Sequence, residues 1–266
     1  MTDRPARPTV SQIRQVCQPP SIRGRRNAEH WVADAYQRNI SPYLTRLLLR
    51  TSITANGVTW LMIATGTLAA LAIAIPGLVG GVLAMLLGQM QMLWDCSDGE
   101  VARWRKTSSP KGVFLDRIGH YTTETLIPIM LGLRAAGFPH GAWVHSSWTL
   151  IGLVLSILVL YNKALNDMVH ASRAHNEMPK LQDRAEVAVP ASSGLRKVRS
   201  AARFFPFHRS FHSVEMTIMV FVFAVLDAVA GSLTPTRILL GALTCFAIIT
   251  VPGHLAAILS SSKLKS

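Results

Sequence analysis

Charge is scarce in this sequence. Only 15% of its 266 residues are Asp, Glu, Lys or Arg, and half are hydrophobic. That balance excludes an ordinary soluble domain with a polar surface and points to an integral membrane protein with several spans. Cysteine is scarcer still. Cys17, Cys96 and Cys245 form no CxxC pair, which excludes a disulfide scaffold and a cysteine zinc site and suits a reducing setting that faces the cytosol. The first residues lack the apolar core of a signal peptide. The tail over residues 1–27 is therefore expected to stay in the cytoplasm, disordered. A net charge of +13 would suit a nucleic-acid binder, yet the bases stand in blocks between apolar runs. Membrane orientation accounts for such blocks, and no nucleic-acid partner is expected.

Over residues 28–50, Trp31, Tyr36, Ile40, Tyr43, Leu44, Leu47 and Leu48 recur at steps of three and four, with Arg38, Arg46 and Arg50 between them. This stretch is too polar to span. It reads as an N-terminal amphipathic helix in the membrane interface, broken near Ser41-Pro42, or as a helix packed on another protein surface. About 20 apolar residues cross the hydrocarbon of a bilayer, and six stretches between residues 51 and 260 are candidates. They run approximately from Val58 to Ile75, Leu78 to Trp104, Val113 to Ala136, Trp143 to Leu165, Val214 to Ala230 and Arg237 to Leu259. The expected fold is an all-α, six-span membrane domain. A long loop at about 166–213 carries an extension of the fourth helix, and a short tail follows at 261–266. Of the 27 Lys and Arg, 24 fall in the segments that this topology puts on one side. Both termini and the second turn are placed in the cytoplasm by that count.

The second and third spans meet in DCSDGEVARWRKTSSPKGVFLDRIGH, from Asp95 to His120. Carboxylates at the mouths of apolar helices are expensive unless a partner or a metal answers them. At helical spacing Asp95, Asp98, Gly99, Ala102 and Arg103 form one stripe, and Asp116 and His120 form another. An antiparallel hairpin brings the two face to face as an oxygen-rich pocket suited to Mg²⁺ or Mn²⁺. Gly99 and Ala102 leave room for a ligand near the backbone, and Arg103 offers a fork for a phosphate oxygen. Metal, small residues and arginine together describe a pyrophosphate site.

At these residues the sequence resembles the CDP-alcohol phosphotransferase (CDP-alcohol phosphatidyltransferase) family, whose pattern is DxxDGxxARx8GxxxDxxxD. Here it reads Asp95, Asp98, Gly99, Ala102, Arg103, Gly112, Asp116 and then His120, so seven of eight positions match with unbroken spacing. The stretch from Thr54 to Thr59 also looks like the family's usual start. The resemblance implies attack of an alcohol hydroxyl on the phosphate of a CDP-linked donor with release of CMP. It implies metal binding by Asp95, Asp98 and Asp116, a cytidine nucleotide pocket lined by Gly99, Ala102, Arg103 and Gly112, and a homodimer. CDP-diacylglycerol is the favoured donor, with a small polar alcohol or its phosphate as the alcohol acceptor and membrane lipids as further partners. Transfer of a polar alcohol phosphate to a lipid hydroxyl is the other branch, and a non-catalytic nucleotide-lipid-binding relative a third reading.

The departure is His120, where the family has an aspartate that serves as base and joins the metal shell. A neutral imidazole still accepts a hydroxyl proton, and it removes one negative charge from a two-ion site. The expected outcomes are His120 as catalytic base beside Asp116, a weakened second ion, or lost activity. Glu124, one turn beyond His120, orients it, contacts the acceptor or is structural. Glu215 and Asp227 face the cavity or lie near its ends. His208 and His212 read as a solvated interfacial pair, and Cys96 carries no chemistry.

Overall fold

Thr54 starts the first long helix by accepting a hydrogen bond from the Gly57 amide at 3.1 Å, an N-cap that satisfies one of the four unpaired amides of a helix start. Ser109 and Ser146 cap two later helices in the same way, with Pro110 following Ser109 at the first helical position, where a missing N–H does no harm. The computed structural model describes residues 4, 5, 7–23, 32–179, 211–261 and 264, and regular structure among them is entirely helical. The elements are α1 (Val10–Cys17), α2 (Pro20–Arg23), a π-helical turn (Ala33–Gln37), α3 (Arg38–Leu48), α4 (Ala55–Ile73), α5 (Gly77–Arg105), α6 (Pro110–Ala135), a 3₁₀ turn (Trp143–His145), α7 (Ser147–His175), α8 (Ser213–Ala230) and α9 (Thr234–Ser260).

Five of these, α4, α5, α7, α8 and α9, are long and apolar enough to cross a membrane. Helix α6 is not among them, because His120, Glu124 and Arg134 interrupt its 26 residues. It nevertheless lies inside the bundle, packed along α4 on one side and α7 on the other. The α6–α7 crossing is close: a Cβ on Gly152 would sit 2.7 Å from the Pro128 carbonyl oxygen and the Gly132 Cα. Small residues at such a crossing let backbones approach where no water-driven force holds membrane helices together. The core that results contains Ile73, Ile127, Leu131, Leu155, Met216 and Leu240, all fully buried. Trp60, Val79, Leu150, Ile157 and Ile249 point outward.

At one end of the bundle Arg134 is buried with Asp227 (Nη2 to Oδ2 3.2 Å). Asp227 also accepts from the Thr236 amide and hydroxyl at 2.9 and 2.5 Å, and Arg134 donates to the carbonyls of Ile75 and Gly77. The ends of α6 and α8, the start of α9 and the turn from α4 into α5 are tied there. Asp227 thus lies near the end of its helix and away from the motif, while Glu215 is buried in the first turn of α8.

Two expectations change near the N-terminus. The tail read as disordered contains α1, started by a Thr9–Gln12 capping box and held by burial of Ile13 and Cys17 against Trp104. The predicted break at Ser41-Pro42 is absent, since α3 runs through Pro42. Proline removes the amide that would bond the carbonyl four residues earlier. That carbonyl, of Arg38, accepts instead from Gln18 Nε2 at 2.7 Å. Ser41, Pro42, Thr45 and Leu48 are buried, and Ile40, Tyr43 and Leu47 are exposed. Trp31, His208 and most of the 166–213 loop lie outside the described residues, and α7 does extend past Leu165 into that loop.

Candidate functional site

Helix α5 ends at Lys106, whose φ of 57° is left-handed and turns the chain, with the Thr107 amide closing on the Ala102 carbonyl at 2.9 Å. Ser109 then opens α6. The hairpin predicted from sequence therefore forms, but its two helices pack mainly along α4 rather than on one another. Side chains bridge the gap that α4 leaves between them. His120 Nε2 of α6 lies 3.0 Å from Asp95 Oδ1 of α5 and 3.6 Å from Asp116 Oδ1.

Asp95, Asp116 and His120 each present one ligand atom within 4.8 Å of the others, and all three are partly buried. Two carboxylate oxygens and an imidazole nitrogen in that space suit a divalent cation with mixed O/N preference. Asp98 stands apart from this group. It is buried, and its Oδ2 accepts from Thr59 Oγ1 of α4 at 2.7 Å. Thr59 lies in the stretch that opens the first span, and the sequence attached no role to it.

Behind His120 the site continues inward. Its Nδ1 lies 3.5 Å from Oε1 of Glu124, which is 3% exposed. The same oxygen is 3.5 Å from Nδ1 of His212, the residue that precedes α8, and the other carboxylate oxygen pairs with Lys163 of α7. Sequence reading singled out Glu124 and took His212 for a solvated residue. It passed over Lys163, whose only signal was one base at the end of an apolar run. On the outer side Arg117 pairs with Asp167, which also accepts from the Tyr121 hydroxyl at 3.0 Å.

The small residues of the motif have distinct surroundings. Gly99 lies beneath the Arg103 guanidinium, so close that an added Cβ would come within 2.9 Å of Nη1 and 3.2 Å of Nη2. Arg103 Nε donates to the Cys17 carbonyl at 2.8 Å. Ala102 packs on the cluster of Leu48, Ala55, Val58 and Val101. The Gly112 amide donates to Ser109 Oγ at 3.2 Å, and the Asn56 side chain of α4 lies against it. Cys96 packs among Val32, Met92 and Val214.

Residues 52–181 match the family model for CDP-alcohol phosphatidyltransferase. The match runs from before α4 to beyond α7 and takes in every residue from Asp95 to His120 as well as Glu124 and Lys163. No curated protein matches the chain.

Proposed function

Through residues 52–181 the chain belongs to the CDP-alcohol phosphatidyltransferase family, a family of phosphotransferases that use CDP-linked donors and alcohol acceptors, and from that premise we propose that it makes a phosphodiester lipid by moving phosphatidyl from CDP-diacylglycerol to an alcohol hydroxyl. The observation that supports this reading best is the convergence of Asp95, Asp116 and His120 from two helices. The surrounding bundle, with five helices long and apolar enough to span, suits a lipid-linked donor. Helix α6 is proposed as a sixth span. Its 26 residues give about 39 Å at 1.5 Å per residue, and its Glu124 and Arg134 are buried in the bundle. The positive-inside count puts the motif on the cytoplasmic side, and the exposed apolar face of α3 suits an interfacial helix.

Mg²⁺ or Mn²⁺ is the cofactor proposed, and Asp95, Asp98 and Asp116 would hold it. When bound, such an ion would supply neutralisation of the pyrophosphate charge and polarisation of its oxygens. Arg103 and the Gly99, Ala102 and Gly112 surfaces receive the cytidine nucleotide. In the reaction the acceptor oxygen forms a bond to the donor phosphorus, the bond from that phosphorus to the CMP oxygen breaks, and the hydroxyl proton passes to His120 Nε2. Glu124 fixes the ring from its Nδ1 side, a carboxylate–histidine arrangement that holds the other nitrogen toward the reacting atoms.

The test is release of CMP from CDP-diacylglycerol by the purified protein with a panel of small alcohols, run beside a CDP-polar-alcohol donor with diacylglycerol. Turnover with the first pair and not the second supports the reading. His120→Ala is expected to lower turnover by about 10²–10⁴-fold, and His120→Asp to keep part of it. An alanine variant as active as the parent refutes His120 as base.

A further inference from the structure

Glu100 is fully buried near the C-terminal end of α5, one residue past Gly99, in a position that the motif leaves free. A buried carboxylate needs donors, and three side chains from the N-terminal segment supply them. Gln18 Nε2 donates to Oε1 at 2.7 Å, Ser41 Oγ to Oε1 at 2.6 Å and Thr45 Oγ1 to Oε2 at 2.7 Å. Gln18 also donates to the Arg38 carbonyl that Pro42 leaves open. One acid on the motif helix thus gathers the residue after α1 and two successive turns of α3.

The contact runs back from the N-terminal segment to the motif. Cys17 Sγ donates to the Glu100 carbonyl at 3.3 Å, and the Cys17 carbonyl accepts from Arg103 Nε at 2.8 Å. The Arg103 guanidinium then lies on Gly99. Arg4 reaches the Arg103 and Trp104 carbonyls from the same segment. With Nε bound to Cys17, the Nη1 and Nη2 edge is the part of the fork turned to the motif.

We infer that Glu100 is a positioning residue: by docking α1 and α3 it sets the Cys17 carbonyl, which sets the Arg103 guanidinium over Gly99 for a phosphate of the CDP-linked donor. The inference rests on the functional reading above for the identity of the donor. The docking itself has a readout that needs no turnover. Burial raises the pKa of the Cys17 thiol to about 11, so in the docked state it is protonated at neutral pH and slow to alkylate.

Glu100→Gln keeps the shape and removes the charge, while Gln18→Ala releases the α1 end and leaves Ser41 and Thr45 in place. Both are made in the full chain and compared with the parent as monodisperse protein. Alkylation of Cys17 by N-ethylmaleimide at pH 7, followed by mass spectrometry, is expected to speed up in both variants. The KM for CDP-diacylglycerol is expected to rise about tenfold, the scale of one charge-assisted hydrogen bond, with kcat reduced far less. A merely structural role lowers the active fraction, hence apparent kcat, and leaves KM alone. Faster alkylation with an unchanged KM overturns the inference, as does unchanged alkylation in both variants. A parent protein without CMP release overturns the functional reading, and with it the donor part of this inference, whatever the alkylation rates.

Discussion

The two ends of the bundle bury charge in opposite ways. At the Arg134 end, Asp227 meets an arginine, a hydroxyl and an amide, and Arg134 also donates to the Thr236 hydroxyl and to the Ile75 and Gly77 carbonyls. Acid and base are matched in number, and the cluster is closed. At the motif end three carboxylates, Asp95, Asp98 and Asp116, stand on two neighbouring helices, where His120 reaches Asp95 and Asp116 and Thr59 donates to Asp98. Like charges gathered at one site destabilise a fold. The first arrangement is a tie between helix ends, and the second gathers acids of like sign.

That contrast breaks most visibly in activity. Asp95→Asn or Asp116→Asn is expected to lower CMP release by at least about 10³-fold, on the scale of losing an ion that stabilises several kcal/mol of developing charge. Removing the surplus repulsion should leave thermal stability unchanged or raised, which a melting curve in detergent reads. Chelation of divalent ions by EDTA should reproduce the activity loss in the parent and be reversed by added Mg²⁺ or Mn²⁺; persistence of turnover under chelation would sink the metal assignment.

At the other end the effect moves from activity to stability. Arg134→Ala strands the Asp227 carboxylate and is expected to destabilise by about 3–5 kcal/mol, while turnover per folded molecule stays near the parent's. The double change Arg134→Met with Asp227→Leu removes both charges and should recover most of the loss. If the single variant melts like the parent, the tie is not a stabilising element. Thr59→Val is the smallest expected change and tests where the two behaviours meet. Deleting one hydrogen bond to the Asp98 carboxylate should cost about 1–3 kcal/mol in a thermal or denaturant transition. It should also weaken the apparent affinity for the activating ion, because Asp98 then lacks the group that fixes its orientation.

Much of this is legible in the sequence. The apolar runs located the long helices because membrane-spanning length is set by bilayer thickness. Pro76-Gly77 and Ser109-Pro110 stand where α5 and α6 begin, as residues that interrupt a helix should. Asp95, Asp116 and His120 were recognisable from helical spacing and the family pattern. Asp98 was assigned with them, but its hydrogen bond goes to Thr59, and nothing in a periodicity says which neighbouring helix a carboxylate will turn to. Low hydropathy made residues 1–27 look disordered, yet Ile13, Cys17 and Gln18 fold onto α5 because Trp104 and Glu100 offer them an apolar and a polar partner. Pro42 signalled a break, and the tertiary contact from Gln18 answers the carbonyl that made a break expected.

What the sequence determined by itself is what depends on local pattern and on the solvent: all-helical spans, their approximate ends, and a carboxylate motif that marks the family. Only the tertiary structure decided which charges meet. Helix α4 between α5 and α6 leaves the gap in which Asp95, Asp116 and His120 converge, and the N-terminal segment closes on Glu100. Those pairings join residues tens of positions apart. Their energies come from burial and hydrogen-bond geometry, quantities that exist only once the helices are packed.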